Sequence, residues 1–346
     1  MASLDSFGGW PQILGTLTIG SDLSGEQTEA VLASILAGDA TDAQISAYIV
    51  ALRQKGETVD ELTGMVRAMH AAATSLDMPE NTIDIVGMGG APSRRRAALN
   101  VSTMASIVAP AAGATVCKHG NRKASSTSGS FDLLEALGIQ FDVAPTELEA
   151  MVEQLGICFA FARSFHPAMR HVGPVRMQLG IPTVFNALGP LAHPARLRRQ
   201  LVGVADDALA SKMIEVLAAT GSEVAWVVTG DGVLDELSTT GPTTVRELRN
   251  GTMTTFTVDP VELGIARPAE GDLDGGDAAA NKRILQRLVD GEVGAARDIV
   301  ALNAAAGLVV GGVAADLPAG LSAAFDAIDS GAASAKLDAL LAFASA

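Results

Sequence analysis

Aromatic side chains and cysteine are scarce in this chain of 346 residues, which has two Trp, one Tyr, ten Phe and two Cys. Hydrophobic residues still reach 48%, so a sizeable core is available, filled by aliphatic side chains, Ala and Gly packed at close range. Cys117 and Cys158 lie inside apolar runs and read as buried reduced thiols rather than a disulfide or a metal pair. No apolar run reaches membrane-spanning length, and MASLDSFGGWPQILG lacks the basic segment and apolar run of a secretion signal. A cytoplasmic protein with no membrane partner is expected. A net charge of −15 opposes the basic field that nucleic-acid binding needs, so none is expected.

The most informative shortage is of acid in two places. Gly87 to Phe131 contains six Lys or Arg and no Asp or Glu, and Gln154 to Ala205 contains six Arg and again no acid. The two stretches hold half of the 24 Lys and Arg in an otherwise acidic chain. A concentrated basic lining in an acidic body fits a small, highly charged ligand.

The first eighty residues read as helical. Ser24 and Gly25 precede Glu26 to Leu36, Thr41 caps Asp42 to Arg53, and Thr58 caps Val59 to Ala73. From Ile83 the pattern becomes short apolar strands alternating with helices, at Ile83–Val86, Ala114–Cys117, Cys158–Ala162 and Val224–Thr229. A long run rich in Pro and Gly, from Phe161 to Arg199, is expected to carry short helices and to bridge two domains. Thr244–Leu248 and Thr252–Val258, split by Asn250-Gly251, read as a hairpin. The expected fold class is α/β: a small N-terminal helical domain over 1–80, and a larger α/β domain over 81–346 with a central, mostly parallel sheet flanked by helices. Part of 165–195 is expected to pack on the helical domain. Ligands then belong at strand C-termini.

Three clusters sit there. Gly87-Met88-Gly89-Gly90 follows the first strand and can expose bare N–H groups, joined by those of the helix beginning near Asn100. Lys118-His119-Gly120-Asn121-Arg122-Lys123-Ala124-Ser125-Ser126-Thr127-Ser128-Gly129-Ser130 follows the second and is dense in donors, which suits an anion with many oxygens. After Val224–Thr229, adjacent Asp235 and Glu236 sit in a loop where a divalent cation on a diphosphate can be held. Alone, GMGG is an ordinary turn, the acid pair a solvated one, and His166 before Pro167 a satisfied or surface histidine.

The strings KHGNRKASSTSGSFDLLEALG, FHPAMRHVGPVRMQLGIPTVFNALGPLAHPA, GVLDELSTT and NAAAGL resemble the anthranilate phosphoribosyltransferases of tryptophan biosynthesis, in the same order and over nearly the whole chain. The resemblance implies an Mg²⁺-dependent transferase, a homodimer formed through the helical domain, that moves the 5-phosphoribosyl group of phosphoribosyl diphosphate (PRPP) onto the amine of anthranilate. Carried over residue by residue, it implies PRPP contacts at Gly87, Gly89, Gly90, Ala91, Asn100, Val101, Ser102, Thr103, Lys118, His119, Gly120, Asn121, Arg122, Ser125, Ser126 and Ser130. It implies metal ligation by Ser102, Asp235 and Glu236, and anthranilate contacts at Gly87, Asn121, His166, Arg176 and Pro190. Lys118, Asp235 and Glu236 become the catalytic group, stabilising charge as the C1–O bond breaks.

One motif departs. Where the family reads GTGGDG followed by Thr-x-Asn, this chain has GMGGAPSRRRAALN, with Met88, Ala91 and Ala98 at the altered positions. For Arg94, Arg95 and Arg96 two readings stand level: a solvated basic loop, or direct guanidinium contacts that replace metal-mediated neutralisation. The altered loop leaves open a related transferase or nucleoside phosphorylase with another acceptor. The Arg triplet leaves open a non-catalytic nucleic-acid-binding relative, against which the acid pair and the net charge weigh.

Overall fold

A computed structural model describes residues 2–89, 91, 97–123, 126–269 and 271–343. Gly90, Ser125 and the triplet Arg94, Arg95 and Arg96, all singled out in the sequence, lie outside them. By contact density the chain divides into two units. One comprises Met1–Ser75, Arg163–Arg196 and Glu215–Gly221, and the other Leu76–Ala162, Leu197–Ile214 and Ser222–Ala346.

The first unit opens with helices α1 (Gly9–Thr18), α2 (Gly25–Ala37), α3 (Asp42–Lys55) and α4 (Val59–Ala72). Local chemistry sets three of their starts. The hydroxyls of Ser24, Thr41 and Thr58 accept the N–H three residues on, and Gln27, Gln44 and Glu61 accept the cap's own N–H in return. Glu61 is fully buried, and it is tolerated because Leu23 N–H (2.9 Å), Thr58 N–H (2.8 Å) and the Lys55 ammonium (2.9 Å) all donate to it. Helices α2 and α4 cross at Gly64, where a Cβ would lie 2.0 Å from the Gly25 carbonyl oxygen.

In chain order there follow β1 (Ile83–Gly87), α5 (Val101–Ala111), β2 (Val116–Gly120), α6 (Ser130–Leu137), α7 (Pro145–Leu155), β3 (Ile157–Phe161), α8 (Ala162–Phe165), α9 (Gly173–Leu179), α10 (Val184–Leu191) and β4 (Arg199–Gly203). The chain closes with α11 (Asp207–Ala219), β5 (Val224–Gly230), β6 (Thr243–Arg249), β7 (Thr252–Val258), α12 (Ala278–Val289), α13 (Ala295–Gly311), α14 (Leu317–Asp329) and α15 (Ala332–Phe343). Among the described residues no helix is long and apolar enough to cross a membrane.

The second unit is built on a seven-stranded sheet of order β3-β2-β1-β4-β5-β6-β7. Strands β1 to β5 run parallel, and the hairpin β6–β7 extends the sheet antiparallel through the turn Asn250-Gly251, both residues at positive φ. The order reverses between β1 and β4, which makes that junction the topological switch point. Two strands differ from the sequence reading. β4 has no counterpart in it, because its five residues begin with Arg199 at the end of the long Pro-rich connection and follow Arg196 and Arg198. β2, expected at Ala114–Cys117, runs on through Lys118 and His119, which are therefore strand residues and buried.

Two outcomes follow from the first unit. Gly64→Ala forces backbone apart at the α2–α4 crossing and costs about 1–3 kcal/mol, the usual penalty of overpacking, read as a lower urea midpoint. His70 and His166 are both mostly buried, and burial pushes each down from 6.5 to about 4, with the Arg196 charge adding to the shift on His70. The folded state then binds fewer protons than the unfolded state between those values, so stability falls as pH drops through that window. Thermal melts at pH 7 and pH 4.5 should show a large drop in wild type and a smaller one in His166→Gln, which cannot titrate.

Candidate active site

Glycine ends the strands that meet at the switch point. Gly87 of β1 and Gly203 of β4 are register partners, and the turn carrying Asp235 lies directly on them. A Cβ on Gly203 would sit 1.7 Å from the Asp235 carbonyl oxygen, and one on Gly87 would sit 2.6 Å from the Asp235 carboxylate. Gly230, at the end of β5, likewise approaches the Glu236 carbonyl. The turn could not seat against any residue with a side chain at these places.

The turn reaches the glycine loop through its acid. Gly89, at φ +76°, donates its N–H to Asp235 Oδ2 at 2.7 Å, while Met88 N–H donates to the Gly203 carbonyl at 2.9 Å. Asp235 is buried and Glu236 half-buried. On the other side of β1 stands Lys118, 1% exposed, whose Nζ donates to the Ile85 carbonyl at 2.5 Å and to Ser102 Oγ at 3.1 Å. That leaves one of its three donors uncommitted by these two bonds. Burial pushes Lys118 down, opposed by the nearby charges of Asp84, Glu236 and Asp235. Asp84, fully buried in β1, is pushed up by burial, opposed by Lys118 and by the His119 N–H, which donates to Asp84 Oδ1 at 3.1 Å. The structure thus brings Ser102, Lys118, Asp235 and Glu236 into one electrostatic group at the strand ends. Ser102 owes its place to the first turn of α5, where free N–H groups favour negative charge.

Other predicted contacts are placed as follows. Asn100 exchanges side-chain bonds with Ser128, whose hydroxyl donates to its Oδ1 at 2.7 Å. Val101 is fully buried, leaving its backbone as the part that can meet a ligand, and Thr103 is buried with its hydroxyl unpartnered among the described residues. Ala91 is buried as well. Much of the donor-rich loop satisfies itself: Ser126 bonds the Ser128 carbonyl, Thr127 bonds Gly276, and Ser130 bonds the Asn121 carbonyl. Exposed Arg122 pairs with Glu135 at 3.0 Å and lies over the Phe141 ring. Asn121 is exposed, with Oδ1 accepting Arg122 N–H, and Gly120 packs against Ser130.

In the first unit, Arg176 on α9 is half-buried, stacked over Phe185 at 5.5 Å and only 3.4 Å from Asn186 Oδ1. Among the described residues it has no acidic partner, and burial pushes its pKa down. His166 is buried, and that burial pushes its pKa down to about 4 against the opposing effect of the bond between Nε2 and the Ala192 carbonyl at 3.0 Å. Pro190 is buried inside α10.

Sequence reasoning missed three residues that shape this region, Gly203, Asp84 and Asn281, and gave no role to Asn303, which opens the string NAAAGL. Asn281 on α12 is fully buried, accepts Asn100 N–H at 2.8 Å and donates to the Ala98 carbonyl at 2.8 Å, so it holds the chain entering α5. The signal for Gly203 was the recurrence of glycine at the end of IDIVG, RQLVG and VAWVVTG.

Ser102, Asp235 and Glu236 offer hard oxygens, the donor chemistry of Mg²⁺. Among the described residues no cluster of three or more His, Cys, Asp or Glu could hold a metal ion.

Residues 79–334 match the glycosyl transferase family, a/b domain, and residues 11–73 match its helical bundle domain. The chain is 48% identical over 334 residues to anthranilate phosphoribosyltransferase of Nocardioides sp., covering 95% of this chain and 97% of that one. The crystal structure of anthranilate phosphoribosyltransferase from Thermus thermophilus superposes with a TM-score of 0.89 at 38% identity, covering 96% and 99% of the two chains. The enzyme from Saccharomyces cerevisiae in complex with PRPP and Mg superposes at 0.86 with 28% identity, covering 99% and 98%. The chain belongs to the anthranilate phosphoribosyltransferase family.

Proposed function

We propose that the protein transfers the 5-phosphoribosyl group of PRPP to the amine of anthranilate, releasing diphosphate, as a step of tryptophan biosynthesis. The observation that carries this is the seating of Asp235 on the register pair Gly87 and Gly203 at the switch point, within reach of the charge on Lys118. The anthranilate amine is neutral at pH 7 and attacks ribose C1 with its own lone pair, so no general base is assigned. The C1–O bond breaks as the C1–N bond forms, and the proton that the amine nitrogen then sheds passes to the departing diphosphate or to water. The ribose ring becomes cationic in character, and the diphosphate leaves with the bonding electron pair and added negative charge.

The residues then divide by charge. The N–H groups at the start of α5, together with Lys118, hold the diphosphate and meet the charge that develops on it, beside the turn of Gly87 and Gly89, whose Gly89 N–H is taken by Asp235. Ser102, Asp235 and Glu236 would hold Mg²⁺, which supplies Lewis-acid neutralisation of the leaving diphosphate when bound. Arg176 takes the anthranilate carboxylate, and its lack of an acidic partner among the described residues supports that assignment. Asn121 orients the amine. His166 and Pro190 are assigned to the acceptor side as neutral surfaces.

We also assign a homodimer to the helical unit, supported by a shallow groove lined by Leu17, Ala47, Val50 and Ala51, beside exposed Ile19. The cytoplasm is the assigned compartment, consistent with two buried free thiols, Cys117 and Cys158.

Purified protein mixed with anthranilate, PRPP and Mg²⁺ should quench anthranilate fluorescence at the rate of diphosphate release; no loss of signal refutes the assignment. In the same assay Arg176→Ala should raise KM for anthranilate roughly 10- to 100-fold, the worth of a lost charged hydrogen bond, with little change in KM for PRPP. Gly203→Ala should do the reverse. Its Cβ must push the Asp235 turn away, raising KM for PRPP at least about tenfold while circular dichroism stays native; an unchanged KM would show that the close approach has no role in binding.

A further inference from the structure

Helix α13 is apolar from Ile299 to Val310 except at one position. Asn303, 3% exposed, is the single polar side chain among twelve consecutive buried residues. Its presence has a cost, since Asn is a poorer helix former than Leu and a buried amide must find partners. Those partners lie largely outside the helix. Asn303 Oδ1 accepts the N–H of Leu237 at 3.0 Å, and Nδ2 donates to the Leu237 carbonyl at 2.9 Å. The second Nδ2 hydrogen goes to the Ile299 carbonyl one turn back, at 2.8 Å. Reversing the amide would set its oxygen against two carbonyls, so the hydrogen-bond pattern fixes the orientation.

Leu237 directly follows Glu236. Both of its backbone groups are taken by one side chain, as a neighbouring strand would take them, and its own side chain is fully buried. At the other end of the turn, Gly230 N–H donates to the Leu234 carbonyl at 2.9 Å. Asp235 and Glu236 are the two residues between these fixed points. Their backbone carbonyls press on Gly203 and Gly230, so the turn has no room to slide.

We propose that Asn303 is a positioning residue for the transfer: by clamping Leu237 it sets the direction in which Asp235 and Glu236 present their carboxylates to the metal-bound diphosphate. The inference rests on the functional reading above. It explains a buried amide whose outward bonds both end on the residue next to the acid pair.

The test is Mn²⁺ binding, used as a probe for the Mg²⁺ site and followed by electron paramagnetic resonance and calorimetry in the presence of PRPP. Asn303→Leu keeps the shape and favours the helix; Asn303→Asp keeps the acceptor for Leu237 N–H and loses the amide donors. Both should weaken Mn²⁺ binding roughly 10- to 100-fold, as loss of a group supporting a metal ligand does. KM for anthranilate should hold, and Asn303→Leu should melt within a few degrees of wild type. Native melting with wild-type Mn²⁺ affinity in either variant overturns the proposal. Should neither variant fold, hydrogen exchange on wild type decides: a Leu237 amide protected with and without PRPP supports the clamp, and one exchanging like an exposed loop amide overturns it. Wild type that binds no Mn²⁺ with PRPP would instead refute the assigned activity, leaving Asn303 a purely architectural clamp.

Discussion

Backbone against backbone at the C-terminal ends of β1 and β4 is the contact on which the rest of the second unit depends. A parallel sheet whose order reverses leaves a crevice at the switch point, and here the register pair Gly87 and Gly203 opens it to main-chain depth. The Asp235 turn fills part of that depth and brings an acid to N–H groups that could otherwise face only solvent or an anion. Acid, amide and lysine are therefore assembled at a fixed separation by chain topology, before any ligand arrives. Glycine at three strand ends is the sequence cost of that arrangement, and the loss of side chains there is offset by the packing of the turn.

Charge inside the unit obeys the same constraint. Lys118 points from a buried strand, so its ammonium is desolvated, and its position is tolerable because Asp84, Asp235 and Glu236 surround it and Ile85 and Ser102 accept its hydrogens. Asp84 is the mirror case: burial disfavours its charge, while Lys118 and the His119 N–H favour it. The bonds from Lys118 to the Ile85 carbonyl and from the His119 N–H to Asp84 tie β2 to β1 through side chains as well as through the sheet. A solvated lysine on a loop would carry the same formal charge but would move with its loop and be screened by water. Placement in the strand makes the charge a stationary feature of the site, which is what stabilising a leaving anion requires.

Much of this was legible in the sequence, for physical reasons that can be named. Capping residues wrote the starts of α2, α3 and α4, and alternating apolar runs wrote most of the parallel sheet. The acid-free stretches and the motif order gave the family and the chemical class of its substrates. β4 was hidden because a central parallel strand needs only five residues, and arginines beside it diluted the apolar signal. Lys118 and His119 read as loop because their polarity contradicts a buried strand until Asp84, Ile85 and Ser102 are seen as their partners. Asn281 was illegible, and Asn303, though it opens the string NAAAGL, had no readable role, because their partners, Asn100 and Leu237, lie far away in the chain. Nothing in local periodicity reports a bond of that separation.

Donor density and uncommitted donors are different quantities. The hydroxyls of Ser126, Thr127, Ser128 and Ser130 looked like a surplus fitted to many phosphate oxygens, yet in the structure they bond to protein acceptors. Arg122 is similarly engaged, by Glu135 and Phe141, while Arg176, in a sequence context far poorer in donors, has no acid beside it among the described residues. Composition reports how many donors a stretch contains, whereas binding depends on how many the fold leaves uncommitted. Small hydroxyl side chains are readily taken up by the fold, within the loop as at Ser126 and Ser130 or by distant segments as at Thr127 and Ser128. Arg176, stacked over Phe185 and bonded to Asn186 Oδ1 at 3.4 Å, has guanidinium hydrogens beyond that bond and no acid among the described residues to take them. A count of donors taken from composition therefore ranks the serine run first, whereas the donors the fold leaves open rank the single stacked arginine above it.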